Sequence, residues 1–232
     1  MATPSAITIG NSFTGKWMVN KKVSPGPEPT LKLQGVGWVL RKAAALAVVT
    51  LHISISSPSA SQSDTASPQK SHISVIQVPT AGLGGTSETR ILDWDERTQL
   101  KDFIFGNRQS RNRFVTGKAG VDGRILPDLV PETKIDNEVI GQMLRGEIPP
   151  EGDDGSGFLV EGHDEAENAG LWIHSFDCQS DGAWTMEQVW GFEMIRGERY
   201  HTRRFVAASK GNFVMGRVVF SYAGSIEGLD LS

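Results

Sequence analysis

Three side chains in the C-terminal third, His201, Arg203 and Tyr222, have the types and spacing to work on a carbonyl oxygen. All three can donate hydrogen bonds, and an arginine facing an apolar lumen is a candidate anchor for an anionic or carbonyl oxygen. Donors held in place stabilise negative charge that grows on oxygen in a transition state. Around them Trp172, Phe176, Trp184, Trp190, Phe192, Phe205 and Phe220 would supply apolar walls. His174 and Gln188 add polar points, and Trp38 could close over a mouth. The plainer readings are that the aromatic stripe is a core and that Arg203 pairs with a buried acid such as Asp177.

No Gly-rich phosphate loop, nucleophile elbow or cysteine cluster is present. His72, His163, His174 and His201 lack the spacing of metal ligands, so neither metal nor cofactor is expected. Cys178 reads as a small packing residue, since no base can be identified beside it. Chemistry that holds apolar partners in one orientation rather than using a nucleophile stays open to such a chain, and orientation alone can contribute roughly 7–11 kcal/mol.

The elements that must position these groups are short strands. Residues alternate from Trp184 to Ile195, with Trp184, Met186, Gln188, Trp190, Phe192 and Met194 on one face. Polarity makes that face the interior. A two-residue turn at Arg196-Gly197 pairs Trp190 with Arg203, Phe192 with His201 and Gln188 with Phe205, so those partners also point inward. A two-residue turn at Gly211-Asn212 adds Val214, Gly216, Val218, Phe220 and Tyr222, whereas a three-residue turn would instead put Met215 and Arg217 there. Upstream, a Ser180-Asp181-Gly182 turn would bring in Trp172, His174 and Phe176.

Earlier in the chain, Phe13–Val19, Val48–Ser56, His72–Val78, Thr86–Asp95, Leu100–Phe105 and Arg113–Thr116 read as strands. Leu31–Leu46 reads as two short helices with Thr30 as N-cap, interrupted by Gly35 and Gly37. Residues 1–11 read as a flexible lead, 12–224 as one barrel domain, 117–157 as an insertion with a short helix at Asn137–Arg145, and 225–232 as a tail. Ser57–Pro68 reads as a mobile loop. The 232 residues are 38% hydrophobic and 22% charged, with net charge −4. No basic stripe points to nucleic acid. The apolar run Ala43–Leu51 is too short to span a bilayer. A single cysteine and a polar Met1–Asn11 give a cytoplasmic expectation. A homodimer is compatible with the sequence.

Phe13-Thr14-Gly15-Lys16-Trp17 is similar to the opening strand of calycins. Leu33–Ala47, followed by Val49–Ser54, resembles the helix-turn-helix lid and next strand of intracellular fatty-acid-binding proteins. The C-terminal Arg-x-Tyr anchor of those binders is not reproduced: Val219 stands two residues after Arg217. Together with Trp190–Glu193, Gly197–Arg199 and Thr202–Arg204, these segments resemble fungal lipocalin-like hetero-Diels–Alderases. The resemblance implies an all-β fold: an antiparallel up-and-down, calycin-like barrel with a short helix-turn-helix lid and one long insertion. It implies a cofactor-free pericyclase that joins a tropolone-type ortho-quinone methide to a humulene-type sesquiterpene alkene. On this view His201, Arg203 and Tyr222 are catalytic and the aromatics form the walls. The alternative is a carrier of a fatty acid or other hydrophobic small molecule.

Overall fold

A computed structural model describes residues 2–56, 70–80, 84–150, 157–163 and 168–226. The expected loop Ser57–Pro68 and residues 227–232 of the expected tail lie outside the described residues.

Alternation makes strands of the chain, and tight turns fold them into an antiparallel meander. In chain order these are β1 (Gly15–Val19), α1 (Glu28–Leu33), α2 (Trp38–Leu46), β2 (Val49–Ser56), β3 (His72–Pro79), β4 (Thr86–Ile91), β5 (Thr98–Asp102), β6 (Gly106–Ala119), β7 (Ile125–Pro127), α3 (Glu138–Arg145), β8 (Leu171–Gln179), β9 (Thr185–Ile195), β10 (Glu198–Ser209) and β11 (Asn212–Gly224). The sheet runs β4-β3-β2-β1-β11-β10-β9-β8-β6-β5, with β7 paired to β6. It is an up-and-down, calycin-like barrel in which α1 and α2 form a helical lid between β1 and β2.

The two sheet ends, β4 and β5, meet through side chains. Glu88 on β4 pairs with Arg108 on β6, and Arg90 on β4 pairs with Asp177 on β8 (2.8 Å). Arg90 also donates to Ser110 Oγ, Asn112 Oδ1 and Ser175 Oγ, and Arg108 to Asp102. A polar seam therefore closes the barrel where backbone pairing stops.

The β9–β10 turn is Arg196-Gly197, as expected, and both residues have positive φ (51° and 79°). Such a primed turn matches the twist of the strands it joins. The β10–β11 turn is Lys210-Gly211 rather than Gly211-Asn212, which shifts the pairing by two residues and leaves the inward set unchanged. The β8–β9 connection corrects the expectation. It spans four residues, 180–183, so Ile173, Ser175 and Asp177 share the face of Trp190, Gln188 and Met186. Trp172, His174 and Phe176 point outward, because a one-residue change of register flips every side chain.

That outer face is nonetheless buried. α3 starts at Asn137, whose side chain accepts from Val139 N–H, and stops at Gly146 in the left-handed region (φ 79°). Its Ile140 and Leu144 pack with Val115, Leu129, Trp172, Val189 and Val206 on the outside of the wall. The insertion thus thickens the barrel wall. Beneath it Glu193 bridges Arg204 and Arg217 (each 2.8 Å) and accepts from Thr202. Burial pushes the Glu193 carboxyl up, but the two guanidinium groups outweigh that and hold it below the usual range.

The lead expected to be flexible is tied down. Thr3 N–H donates to Arg199 C=O (2.7 Å), and Arg199 donates to the carbonyls of Pro4 (2.8 Å) and Ile7 (2.7 Å). Ile7 and Ile9 enter the core with Phe13, Trp17, Phe192 and Phe220 and seal the barrel base.

Candidate functional site

The barrel is packed at its base and open beneath its lid. At the base, Trp17 Nε1–H donates to Phe13 C=O (3.2 Å), and its ring touches Phe13, His201 and Tyr222 at centroid distances of 5.2–5.3 Å. Above this plug lies a cavity of about 580 Å³. That is within the range of ~300–1,000 Å³ typical of drug-sized ligands. Val49, Phe105, Trp184, Met186, Phe205, Val218 and Phe220 make its apolar wall. Leu31, Gln34, Ala44 and Ala45 of the lid form part of its lining, while Glu88, Arg90, Arg108 and Asp177 of the seam form another side.

Arg203 lines this cavity without a carboxylate partner among the described residues. Its guanidinium carbon lies 3.5 Å from the centroid of the Trp190 ring and 5.0 Å from that of Phe220. Cation–π contact replaces part of the lost solvation. Arg203 Nε–H donates to His201 Nε2 (3.4 Å), and Nη2 is buried with no hydrogen-bond partner. Burial, then repulsion from Arg90, pulls its pKa down to about 9, so the group stays charged at neutral pH. Asp177, the acid that could have neutralised it, is committed to Arg90.

His201 is fully buried, with Nδ1 2.9 Å from Gly191 C=O. That carbonyl can only accept, so Nδ1 carries the hydrogen and Nε2 offers a lone pair to Arg203. Burial and the Arg203 charge hold His201 neutral, with a pKa well below 6.5. His201 therefore orients Arg203 from within the plug and does not line the cavity.

The other expected site residues divide by depth and face. Trp184, Gln188, Phe205 and Phe220 line the cavity. Trp190 and Phe192 point inward, Trp190 beneath Arg203 and Phe192 in the base plug. Tyr222 pairs with Trp17 across β11 and β1 near the base, away from the cavity. Trp38 begins α2 and is 62% exposed, so it does not cover the mouth; small lid residues do. Trp172, His174 and Phe176 lie outside the barrel for the register reason above. There His174 Nε2 contacts Glu187 (2.8 Å) and its ring stacks on Trp94 (4.5 Å). The seam residues Glu88, Arg90 and Arg108 were not anticipated, because charges on short strands read as solvent-facing. Their only sequence signal is alternation: Glu88 with Arg90, and Arg108 with Ser110 and Asn112.

No family model matches the chain. It is similar to a probable pericyclase of Mollisia scopiformis, at 25% identity over 96% of this chain and 95% of that protein. It is also similar to a pericyclase of an Acremonium species, at 26% identity over 97% of this chain and 98% of that protein. Among solved structures it matches As-p18, an extracellular fatty acid binding protein, at 12% identity and a TM-score of 0.39, over 93% of this chain and 99% of that one. The barrel described above thus has a full-length likeness to proteins named pericyclases.

Proposed function

We propose that the chain is a cofactor-free pericyclase whose substrate sits in the lidded cavity with a conjugated carbonyl oxygen on Arg203. The observation that carries this reading is the buried, cavity-lining guanidinium with no carboxylate partner among the described residues and an unsatisfied Nη2. The full-length similarity to proteins named pericyclases supports it.

The specific reaction we propose is a hetero-Diels–Alder addition of a tropolone-type ortho-quinone methide to a humulene-type alkene. One C–C and one C–O bond form at the expense of π bonds, and no atom leaves. If C–C bonding runs ahead of C–O bonding, the quinone-methide oxygen gains negative charge. Arg203 stabilises that charge more in the transition state than in the ground state, which is what accelerates a step. The apolar wall holds the alkene against one face of the oxadiene and so sets stereochemistry. The same geometry serves other cycloadditions in which a conjugated carbonyl activates the diene or dienophile. A cytoplasmic setting, suggested by the lone cysteine, belongs to this reading.

The second reading is a carrier, favoured by the buried Arg203 guanidinium beside the apolar wall, which also suits a fatty carboxylate. The discriminating experiment incubates purified protein with a quinone-methide precursor and a humulene-type alkene. The pericyclase reading expects faster formation of one stereoisomer than in a protein-free control. Rates and stereochemistry equal to the control, with tight fatty-acid binding, would favour the carrier.

A further inference from the structure

Gln188 stands beside Arg203 on the same inward face. β9 and β10 pair Gln188 with Phe205 and Trp190 with Arg203, which makes Gln188 and Arg203 diagonal neighbours. Diagonal positions lie about 7–8 Å apart at Cα, within reach of long side chains converging on one ligand.

The orientation of the Gln188 amide follows from its partner. Trp190 Nε1 lies 2.9 Å from Gln188 Oε1. Indole N–H only donates, so the amide oxygen must face it and the amide NH2 must face away. No hydrogen bond of that NH2 is found among the described residues, and Gln188 lines the cavity. Arg203 is fixed in parallel: Nε is taken by His201 and its flat face by Trp190. What is left without a hydrogen-bond partner on this patch, among the described residues, is the Nη groups of Arg203 and the NH2 of Gln188, and these are donors only.

Resting on the reading of this cavity as the substrate site, we infer that Arg203 and Gln188 form a two-donor cleft for two neighbouring oxygens of one ligand. The substrate class is then a conjugated carbonyl with a second acceptor oxygen on the adjacent or next carbon. A ligand with one oxygen leaves one donor unmatched, and leaving a buried polar group without its partner is costly.

The test compares two neutral probes of equal size, 2-methoxytropone and 2-ethyltropone, which differ by one oxygen in place of one methylene. Calorimetric titration of the wild-type chain is expected to show the methoxy probe binding at least tenfold tighter. Gln188→Met, which keeps length but removes the donor, is expected to reduce that preference to within twofold. In the wild type, the side-chain amide resonances of Gln188 are expected to shift with the methoxy probe and stay in place with the ethyl probe, a readout that needs no variant to fold. Equal affinity for both probes, a preference that survives Gln188→Met, or an unmoved Gln188 amide would overturn the inference. A tenfold preference in a protein that accelerates no cycloaddition would remove the pericyclase reading and leave the two-donor cleft standing.

Discussion

Arg203 rests its guanidinium 3.5 Å above the Trp190 ring, and the indole N–H of Trp190 is in turn held by Gln188 Oε1 at 2.9 Å. The cation is thus mounted on a ring that cannot rotate without breaking its own hydrogen bond. Trp190→Leu removes the platform and a large buried side chain. We expect a stability loss of about 3 kcal/mol in denaturant titration. Ligand affinity should fall further in this variant than in Phe192→Leu, which empties the plug but leaves Arg203 supported.

Because His201 is neutral and buried, it gives the protein a pH dependence with a definite sign. Its folded pKa lies well below 6.5, so between those values the unfolded chain binds the extra proton. Stability is full above pH 6.5 and falls as pH drops below it, by about 1.4 kcal/mol per unit for one proton. Thermal melts of the wild type should lose stability between pH 6.5 and 5, and melts of His201→Phe should lose less over that range. Glu193, whose pKa is lowered, makes its own contribution above 4.5 and loses it only at more acid pH.

Under the insertion, Glu193 neutralises Arg204 and Arg217 where none of the three is open to water. Glu193→Gln removes the carboxylate charge that both guanidinium groups bond. Breaking a buried pair from one side costs roughly 3–5 kcal/mol, and urea unfolding should register a loss of that order. The residue lies outside the cavity, so ligand affinity measured well below the unfolding midpoint should be unchanged.

Gly191 leaves room for the Trp172 and Phe158 rings to pack on the outside of the wall. A Cβ there would lie 2.6 Å from Trp172 Cδ1 and 2.8 Å from Phe158 Cδ1, closer than real contacts allow. Gly191→Ala should cost about 1–3 kcal/mol through overpacking, seen as a lower melting temperature.

Much of this was legible beforehand because β9 and β10 alternate strictly and their turn is a two-residue one. Those features alone put Gln188, Trp190, His201 and Arg203 on one inward face. Tyr222 also kept its inward parity, and what alternation could not give was its depth along the barrel. Trp172, His174 and Phe176 were misplaced by a single loop residue, since turn length controls register and Gly182 marks the turn without fixing its length. Glu187 and Glu193 alternate with the inward set of β9, and they do point outward. That Glu132 and Thr133 would cover Glu187, and that Met143 of α3 would reach Arg204 beside Glu193, depends on long-range contacts that local pattern does not encode. The seam of Glu88, Arg90, Arg108 and Asp177 was invisible for the same reason: it exists only where β4 meets β6 and β8.

The cavity's lid lining includes small residues, which makes blocking it a clean intervention. Ala45→Trp adds bulk to the roof without touching Arg203. The variant should fold with a near wild-type melt and lose binding of ligands that fill the chamber, measured by calorimetry.

If Arg203, which has no carboxylate partner among the described residues, activates a carbonyl inside the barrel, its removal must slow the reaction. The most direct measurement is a chromatographic time course with quinone-methide precursor and humulene-type alkene, using wild type, Arg203→Lys and Arg203→Ala, each checked for folding. A single stereoisomer is expected, formed fastest by the wild type, slower by Arg203→Lys, and at least tenfold slower by Arg203→Ala. Equal rates and the same isomer in Arg203→Ala would contradict it.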